Sequence, residues 1–264
     1  MIPADYFPLP SPTYDLRIGA SPMGAGSFIF EKDDWLEEEL LLKKACLDFD
    51  ANYYCQWLPG SEAAQRELAS LVGSDPQLGI RGAGDMVQED LLILDLKQTG
   101  LPLIAGHLCF ANAWCLDEKL GLPFMAIHGP VPEFSSTIGP SSEKLIERLK
   151  PGRPVARLNW AVKSSGQMDL TSRWNEFTAE CNAKVTAENA GGRCWMRAER
   201  QTLSLLGETG AVLFTVHTYT QTVETLTRPQ QEILLGVLQT CPEPMLRYKG
   251  IWPFARPLMQ WLSR

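Results

Sequence analysis

Three histidines, His107, His128 and His217, are all the imidazole this 264-residue chain has, so metal ligation or general-base chemistry of that kind falls on one of them. His128 stands in "FMAIHGPVPEF" (124–134). Pro130 and Pro132 each hold φ near −65° and bias the preceding residue toward an extended shape. A histidine in so stiff a stretch suits a metal ligand, whose ring must keep one angle with its other nitrogen hydrogen-bonded. The same spacing suits a plain structural turn equally well. His107, in "AGHLCF", reads as a packed or surface residue of a strand. In "LFTVHTY", Phe214 and Val216 take one side while Thr215, His217 and Tyr219 take the other. That polar side is either solvent-exposed or lines a cleft.

A second group of candidates is charged. In "WMRAERQTL", alternation sets Arg197, Glu199 and Gln201 on one strand face and Met196, Ala198, Arg200 and Thr202 on the other. "ARLNWAV" likewise parts Arg157 and Asn159 from Leu158 and Trp160. Such residues are either a solvated cross-strand ion pair of small worth, or a cleft wall where a carboxylate holds a cationic substrate and an arginine steadies bound oxygen. No G-x-G-x-x-G opens a helix, and no Walker loop or nucleophile elbow occurs, which argues against nicotinamide and nucleotide sites. The seven cysteines, Cys46, Cys55, Cys109, Cys115, Cys181, Cys194 and Cys241, are scattered without a C-x-x-C pair. An iron–sulfur centre, which needs about four thiolates brought together, is expected on a partner chain instead.

These residues need elements to position them. The chain to about Ser27 is rich in Pro, Ser and Gly and reads as an irregular arm. "DDWLEEELLLKKACLDFD" (33–50) predicts a helix with an Asp N-cap and Leu36, Leu40, Lys43 and Leu47 in helical steps. "GSEAAQRELASLVG" (60–73) predicts another, with Ser61 as cap, Leu68, Leu71 and Val72 as its apolar stripe and Gly73 as its stop. "LLILDLKQTGLPLIAGHLCF" (91–110) reads as two strands around a turn. Short helical pieces follow in "AWCLDEKLG" (113–121) and "SSEKLIERLKPG" (141–152), the latter capped by Ser141 or Ser142 and ended by Pro151. Three more strands are expected in "VARLNWAV", "CWMRAERQTLSLL" and "AVLFTVHTYTQTV", the last two joined by a "GETG" hairpin. A final helix, "RPQQEILLGVLQT", follows Thr227 and Gln230 at capping-box spacing, with Ile233, Leu234, Val237 and Leu238 inward.

This order predicts an α+β domain with a mostly antiparallel sheet, helices over one face and extra N- and C-terminal helices. A layer of that kind leaves a cleft between helices and sheet that holds a flat ligand. We expect an arm over 1–30, one domain over 31–250 and a C-terminal extension over 251–264. With 45% hydrophobic and 21% charged residues the composition is that of an ordinary globular protein. The net charge of −7 disfavours nucleic acid and anionic membranes as partners. No run reaches the roughly 18 apolar residues of a membrane span and no secretory signal opens the chain, so a cytoplasmic location is expected.

Taken in order, "VQEDLLIL", "AGHLCFANAWCLDEKLGLPF", "IHGPVPEF", "RLNW", "RAERQTL", "GAVLFTVHTY" and "YKG" resemble the haem-dependent oxidative N-demethylase family, alpha subunit, over about residues 86–250. The resemblance implies a PAS-like haem-binding domain and an enzyme. The reaction implied is O2-dependent removal of a methyl group from a small secondary amine such as dimethylamine, releasing formaldehyde. It also implies b-type haem here, with FMN, an iron–sulfur cluster and tetrahydrofolate on partner chains that pass on NADPH electrons and collect formaldehyde. By motif, His128 is the implied proximal iron ligand. Arg157, Asn159, Arg197, Glu199 and Arg200 are implied for the distal pocket or the haem propionates, with His217 and Tyr219 as further donors. Glu199 is the carboxylate expected to hold the amine. Ala111-Asn112 replaces a Pro-Ser common among relatives, and "HTY" an arginine-containing variant; both changes bear on the substrate rather than the haem. The readings from other classes are a haem-based gas or small-molecule sensor without turnover, and a PAS-like scaffold without cofactor.

Overall fold

The computed structural model describes residues 1–24 and 29–264. The last part of the expected irregular arm, including Ser27, lies outside the described residues. The helices are α1 (Leu36–Tyr54), α2 (Glu62–Leu71), α3 (Gly79–Gly84), α4 (Phe124–Ile127), α5 (Gly139–Glu147), α6 (Asn175–Ala183), α7 (Ala190–Arg193), α8 (Arg228–Thr240), α9 (Glu243–Tyr248) and α10 (Ala255–Leu262). The strands are β1 (Ser21–Pro22), β2 (Cys55–Trp57), β3 (Asp90–Leu94), β4 (Leu103–His107), β5 (Val155–Lys163), β6 (Trp195–Leu205) and β7 (Val212–Thr222). Among the described residues they form one sheet in the order β1-β5-β6-β7-β3-β4-β2, with antiparallel neighbours throughout. The fold is α+β, as the alternation of the five longer strands predicts. Among the described residues no helix is long and apolar enough to cross a membrane.

Each sheet face buries its own set of alternate residues. On one, Leu92, Leu203 and Phe214 share a register row and look toward α4, α5 and the chain around them, where Phe124, Phe134 and Ile146 are buried. On the other, Leu91, Ile93 and Leu213 pack with Leu47, Leu68 and Ile80 of α1 to α3, and Val162 and Met196 pack with Leu234, Val237, Phe254 and Leu258. Residues 251–262 belong to this second cluster, since Ile251, Phe254, Leu258 and Leu262 are fully buried in it.

Several local expectations change. α1 runs four residues past its predicted end, and its N-terminus is held by Asp33, whose Oδ1 accepts from Trp35 N at 2.8 Å. At α2 the Ser61 hydroxyl does not cap; it donates to Leu58 O at 2.6 Å and accepts from Gln65 Nε2 at 2.9 Å. Leu71 is exposed, because the buried side of α2 turns on Ala64, Gln65, Leu68 and Ala69. α5 begins before Ser141, and Ser142 Oγ donates back to Ile138 O at 2.8 Å, as a helical serine does. At α8, Gln230 Oε1 accepts from Thr227 N at 2.9 Å, the capping-box bond its sequence predicts. His107 is fully buried against α3. A Cβ at Gly84 would sit 2.3 Å from its ring, so only glycine fits there.

Candidate functional site

Beneath the face carrying Leu92, Leu203 and Phe214 lies a cavity of about 800 Å³, closed on one side by arm residues from 5 to 21. His128 reaches it from the end of α4, where Pro123 sets the helix start and the Gly129–Pro132 stretch turns the chain away. Its carbonyl accepts from Val131 N at 2.9 Å, which fixes that turn. The ring lies between aromatic neighbours, stacked on Phe134 with centroids 4.4 Å apart and planes at 11°, and 4.5 Å from Phe124. Nδ1 is 2.8 Å from Phe124 O, a carbonyl, so it carries the hydrogen and donates it. Burial, with the positive charges of Lys119 and Arg157 and despite that bond, pushes the imidazole down to about 4. At neutral pH the ring is therefore neutral, and its Nε2 lone pair has no hydrogen-bond donor among the described residues. This is the state in which imidazole binds a metal.

The strand chemistry borders the same cavity. Register pairs Asn159 with Glu199 and Arg157 with Gln201, so all four side chains share one face, and all four border the cavity. Glu199 Oε2 accepts from Asn159 Nδ2 at 3.1 Å and from Gln201 Nε2 at 3.0 Å, while Oε1 accepts from Arg197 Nε at 3.3 Å. Burial raises the Glu199 carboxyl, but the Arg197 charge and these three donors outweigh it and hold the group below its ordinary value. A buried carboxylate is thus kept ionised beside an open space. Arg197 itself stands in the wall behind. It is 1% exposed and donates to Phe110 O, to Met168 O at 3.1 Å and to Thr218 Oγ1 at 3.2 Å.

Three other candidates point away. Arg200, His217 and Tyr219 occupy the alternate positions of β6 and β7, so strand alternation carries their side chains through to the opposite face. Arg200 borders the cavity's edge, yet its guanidinium pairs with Glu31 at 3.2 Å and donates to Ile29 O at 3.2 Å. Tyr219 Oη donates to Glu31 Oε2 at 2.8 Å. His217 is fully buried among four carboxylates: Nδ1 is 3.5 Å from Glu89 and 4.0 Å from Glu31, and Nε2 is 3.7 Å from Glu39 and 3.9 Å from Asp33. The polar face of "LFTVHTY" thus meets neither solvent nor cavity. It meets acids that lie at positions 31 to 89, which no local reading of β7 reveals.

That arrangement sets the charge of His217. Burial alone would lower its pKa, but Glu39 and Glu89 reverse the effect and raise it to about 9. A folded pKa above the unfolded value of about 6.5 gives stability that is complete below pH 6.5 and lost as pH rises through 9. At about 1.36 kcal/mol per unit the gain is on the order of 3 kcal/mol. His217→Gln should therefore be less stable than wild type by about that amount near pH 6, with the gap closing above about pH 9.5. Paired urea titrations at the two pH values check this, and a pH-independent gap would contradict it.

Spacing alone missed two cations at the cavity, Lys119, which sits 4.0 Å over the Trp114 ring, and Lys249, which donates to Trp160 O at 2.7 Å; nor could it show that the buried Nε of Arg157 has no hydrogen-bond partner. Burial depresses both lysines to about 8. The donor set as a whole fits an iron porphyrin: a neutral imidazole with one nitrogen free, flat apolar walls in Leu92, Leu203 and Phe214, and cations within the same space. A family model described as haem-dependent oxidative N-demethylase, alpha subunit-like, matches residues 74–259, well over half the chain.

Proposed function

This chain belongs to the haem-dependent oxidative N-demethylase alpha subunit-like family, and from that premise we propose that it holds b-type haem through His128 Nε2 and demethylates a small secondary amine. Family membership carries haem dependence and oxidative N-demethylation as a class of reaction. The finer reading, with a dimethylamine-like substrate, formaldehyde as product and electrons from a separate NADPH-linked flavin and iron–sulfur chain, is ours. It rests above all on His128, whose Nδ1 bond to Phe124 O leaves Nε2 free on a residue that borders the same cavity as a buried carboxylate.

Haem supplies O2 binding and the oxidising power that removes hydrogen from the methylated nitrogen and its carbon. The protein's own residues do the rest. His128 would hold the iron through Nε2, its ring angle set by Phe134 and the Phe124 carbonyl. Glu199 attracts the ammonium form of the amine and accepts its N–H, and Asn159, Gln201 and Arg197 hold the carboxylate at one angle. As the nitrogen loses hydrogen, Glu199, the carboxylate that holds it, is placed to take the proton. The arm residues that close one side of the cavity limit access of bulk water, which strengthens the charge interaction between carboxylate and amine.

The reading is tested by reconstituting the chain with haem and titrating amines while following the Soret band, with formaldehyde assayed once a reductase is supplied. A shift and product with dimethylamine support it. A haem-loaded protein whose spectrum ignores every secondary amine would leave the sensor reading in its place.

A further inference from the structure

A second set of metal-binding residue types takes no part in the chemistry above. Asp90 opens β3, His107 closes β4, and Cys109 follows two residues later. Register sets His107 beside Leu91, the residue after Asp90. The three are 1%, 0% and 0% exposed, and one donor atom from each lies within 4.8 Å of the other two. Cys109 Sγ is 3.9 Å from His107 Nδ1 and 4.0 Å from Lys43 O of α1. Cys46 of α1 is a further neighbour: its thiol, with burial adding to the effect, pushes the Cys109 thiol well above its ordinary value. Asp90 also borders the cavity, whereas Cys46, His107 and Cys109 do not.

This cluster is poorly satisfied as it stands. The side-chain partner of His107 Nδ1 is a sulfur at 3.9 Å, a weak acceptor, and the buried Nε2 has no hydrogen-bond partner. Gly84 pins the ring, since a Cβ there would sit 2.4 Å from Nε2. Nδ1 is thus the nitrogen left toward Cys109. Burial, with the Lys43 charge, pushes the imidazole well below its ordinary value, so it is neutral, as a ligand must be. Asp90 is held from behind, Oδ1 accepting from Cys109 N at 2.7 Å and Oδ2 from Phe110 N at 2.9 Å. Such outer bonds orient a ligating carboxylate and leave each oxygen a lone pair. Lys43, 1% exposed, donates to Val87 O at 2.8 Å and Glu89 O at 2.7 Å. It has no carboxylate within ion-pair distance among the described residues.

We infer that Cys46, Asp90, His107 and Cys109 form a site for a divalent transition ion of the zinc class, which ties α1 to the ends of β3 and β4. Two thiolates, an imidazole and a carboxylate are a tetrahedral donor set. Around one ion such atoms stand about 3.3–3.8 Å apart, so modest side-chain rotation suffices for donors already within 4.8 Å. The ion itself deprotonates the thiols. A dication with two thiolates and a carboxylate carries a net charge of about −1, which the buried Lys43 ammonium balances. Four protein donors leave no open position, so the ion is structural rather than catalytic. The inference does not rest on the haem reading.

The test uses the haem-free, reduced chain, stripped with a chelator that is then removed, and Co2+ as the probe. Cobalt held by thiolate shows a sulfur-to-metal charge-transfer band in the near ultraviolet. Wild type should take up one Co2+ per chain with that band, and Zn2+, the tighter binder, should bleach it. Zn2+ should also raise the unfolding temperature, and a chelator should reverse the rise. Cys109→Ala and Cys46→Ala should each weaken Co2+ binding at least about tenfold, while Cys181→Ala on α6 leaves it unchanged. Should Cys109→Ala not fold, the half-buried Cys46 carries the comparison. A folded wild-type chain that shows no such band in excess Co2+ overturns the proposal, as does a band that survives substitution of Cys46 or Cys109. His128 brings no sulfur, so loss of haem ligation there leaves the band in place, and the two readings fail separately.

Discussion

His128→Ala purifies with little or no haem, lacks the ferrous-CO band of the wild type, and regains a Soret band when free imidazole is added to the haem-reconstituted variant. The expectation follows from how the side chain is held. The backbone around it is organised by its own bonds, Val131 N to His128 O at 2.9 Å and Gly139 N to Phe134 O at 2.7 Å, so removing the ring leaves the frame standing. What remains is an imidazole-shaped space bounded by Phe134, Phe124 and the Phe124 carbonyl, which free imidazole matches. Outer-shell changes at metal sites commonly cost 10- to 100-fold in affinity; loss of the ligand itself should exceed about 100-fold, read by haem titration. An unaltered spectrum would remove His128 from the site, and with it the main support for the function.

Glu199→Gln is expected to lower amine-dependent turnover by about 10²–10³-fold, the range seen when one preorganised electrostatic partner is lost, while haem uptake stays near wild type. The amide keeps an oxygen for Asn159 or Gln201 but loses the charge that draws the ammonium and the base that accepts its proton. Since the carboxyl is held below its ordinary value of 4.5, the charge is complete in the neutral range. The stability it brings is present above about 4.5 and is lost as pH falls through the lower folded value. The same substitution deprives Arg197 of its counter-ion. Breaking a buried pair costs about 3–5 kcal/mol, softened here by the bonds of Arg197 to Phe110 O, Met168 O and Thr218 Oγ1. Turnover should therefore be compared at a temperature where both proteins are shown to be folded. Equal haem binding with equal turnover would exclude Glu199 as the amine's partner.

Much of this architecture was legible in the residues. Alternation located β3 to β7, the hairpin between β6 and β7 and the helix at Thr227, because each carries a period or a cap that is itself the physical cause of the element. Alternation also separated Arg197, Glu199 and Gln201 from Arg200 before any fold was known. What it did not decide was which side faces the cavity, since both sides of β6 and β7 carry polar residues and burial depends on neighbours far along the chain. His217 and Tyr219 were misplaced for that reason. α3, α4, α6, α7, α9, β1 and β2 escaped notice because they are short or lack a clear stripe, α10 because it lies in the stretch read as an extension beyond the final helix, and Lys119 and Lys249 because a lone lysine has no pattern.

The acids that enclose His217 come in large part from ahead of the family-matched stretch, which begins at residue 74: Glu31, Asp33 and Glu39, together with α1 and α2, whose Leu47 and Leu68 cover Leu91 and Leu213. A fragment trimmed to that match would strand a charged ring and bare a greasy strip of sheet to water. Anyone cutting this gene down to its recognisable portion should expect inclusion bodies, and should look for the cause at the missing front of the chain before blaming the haem.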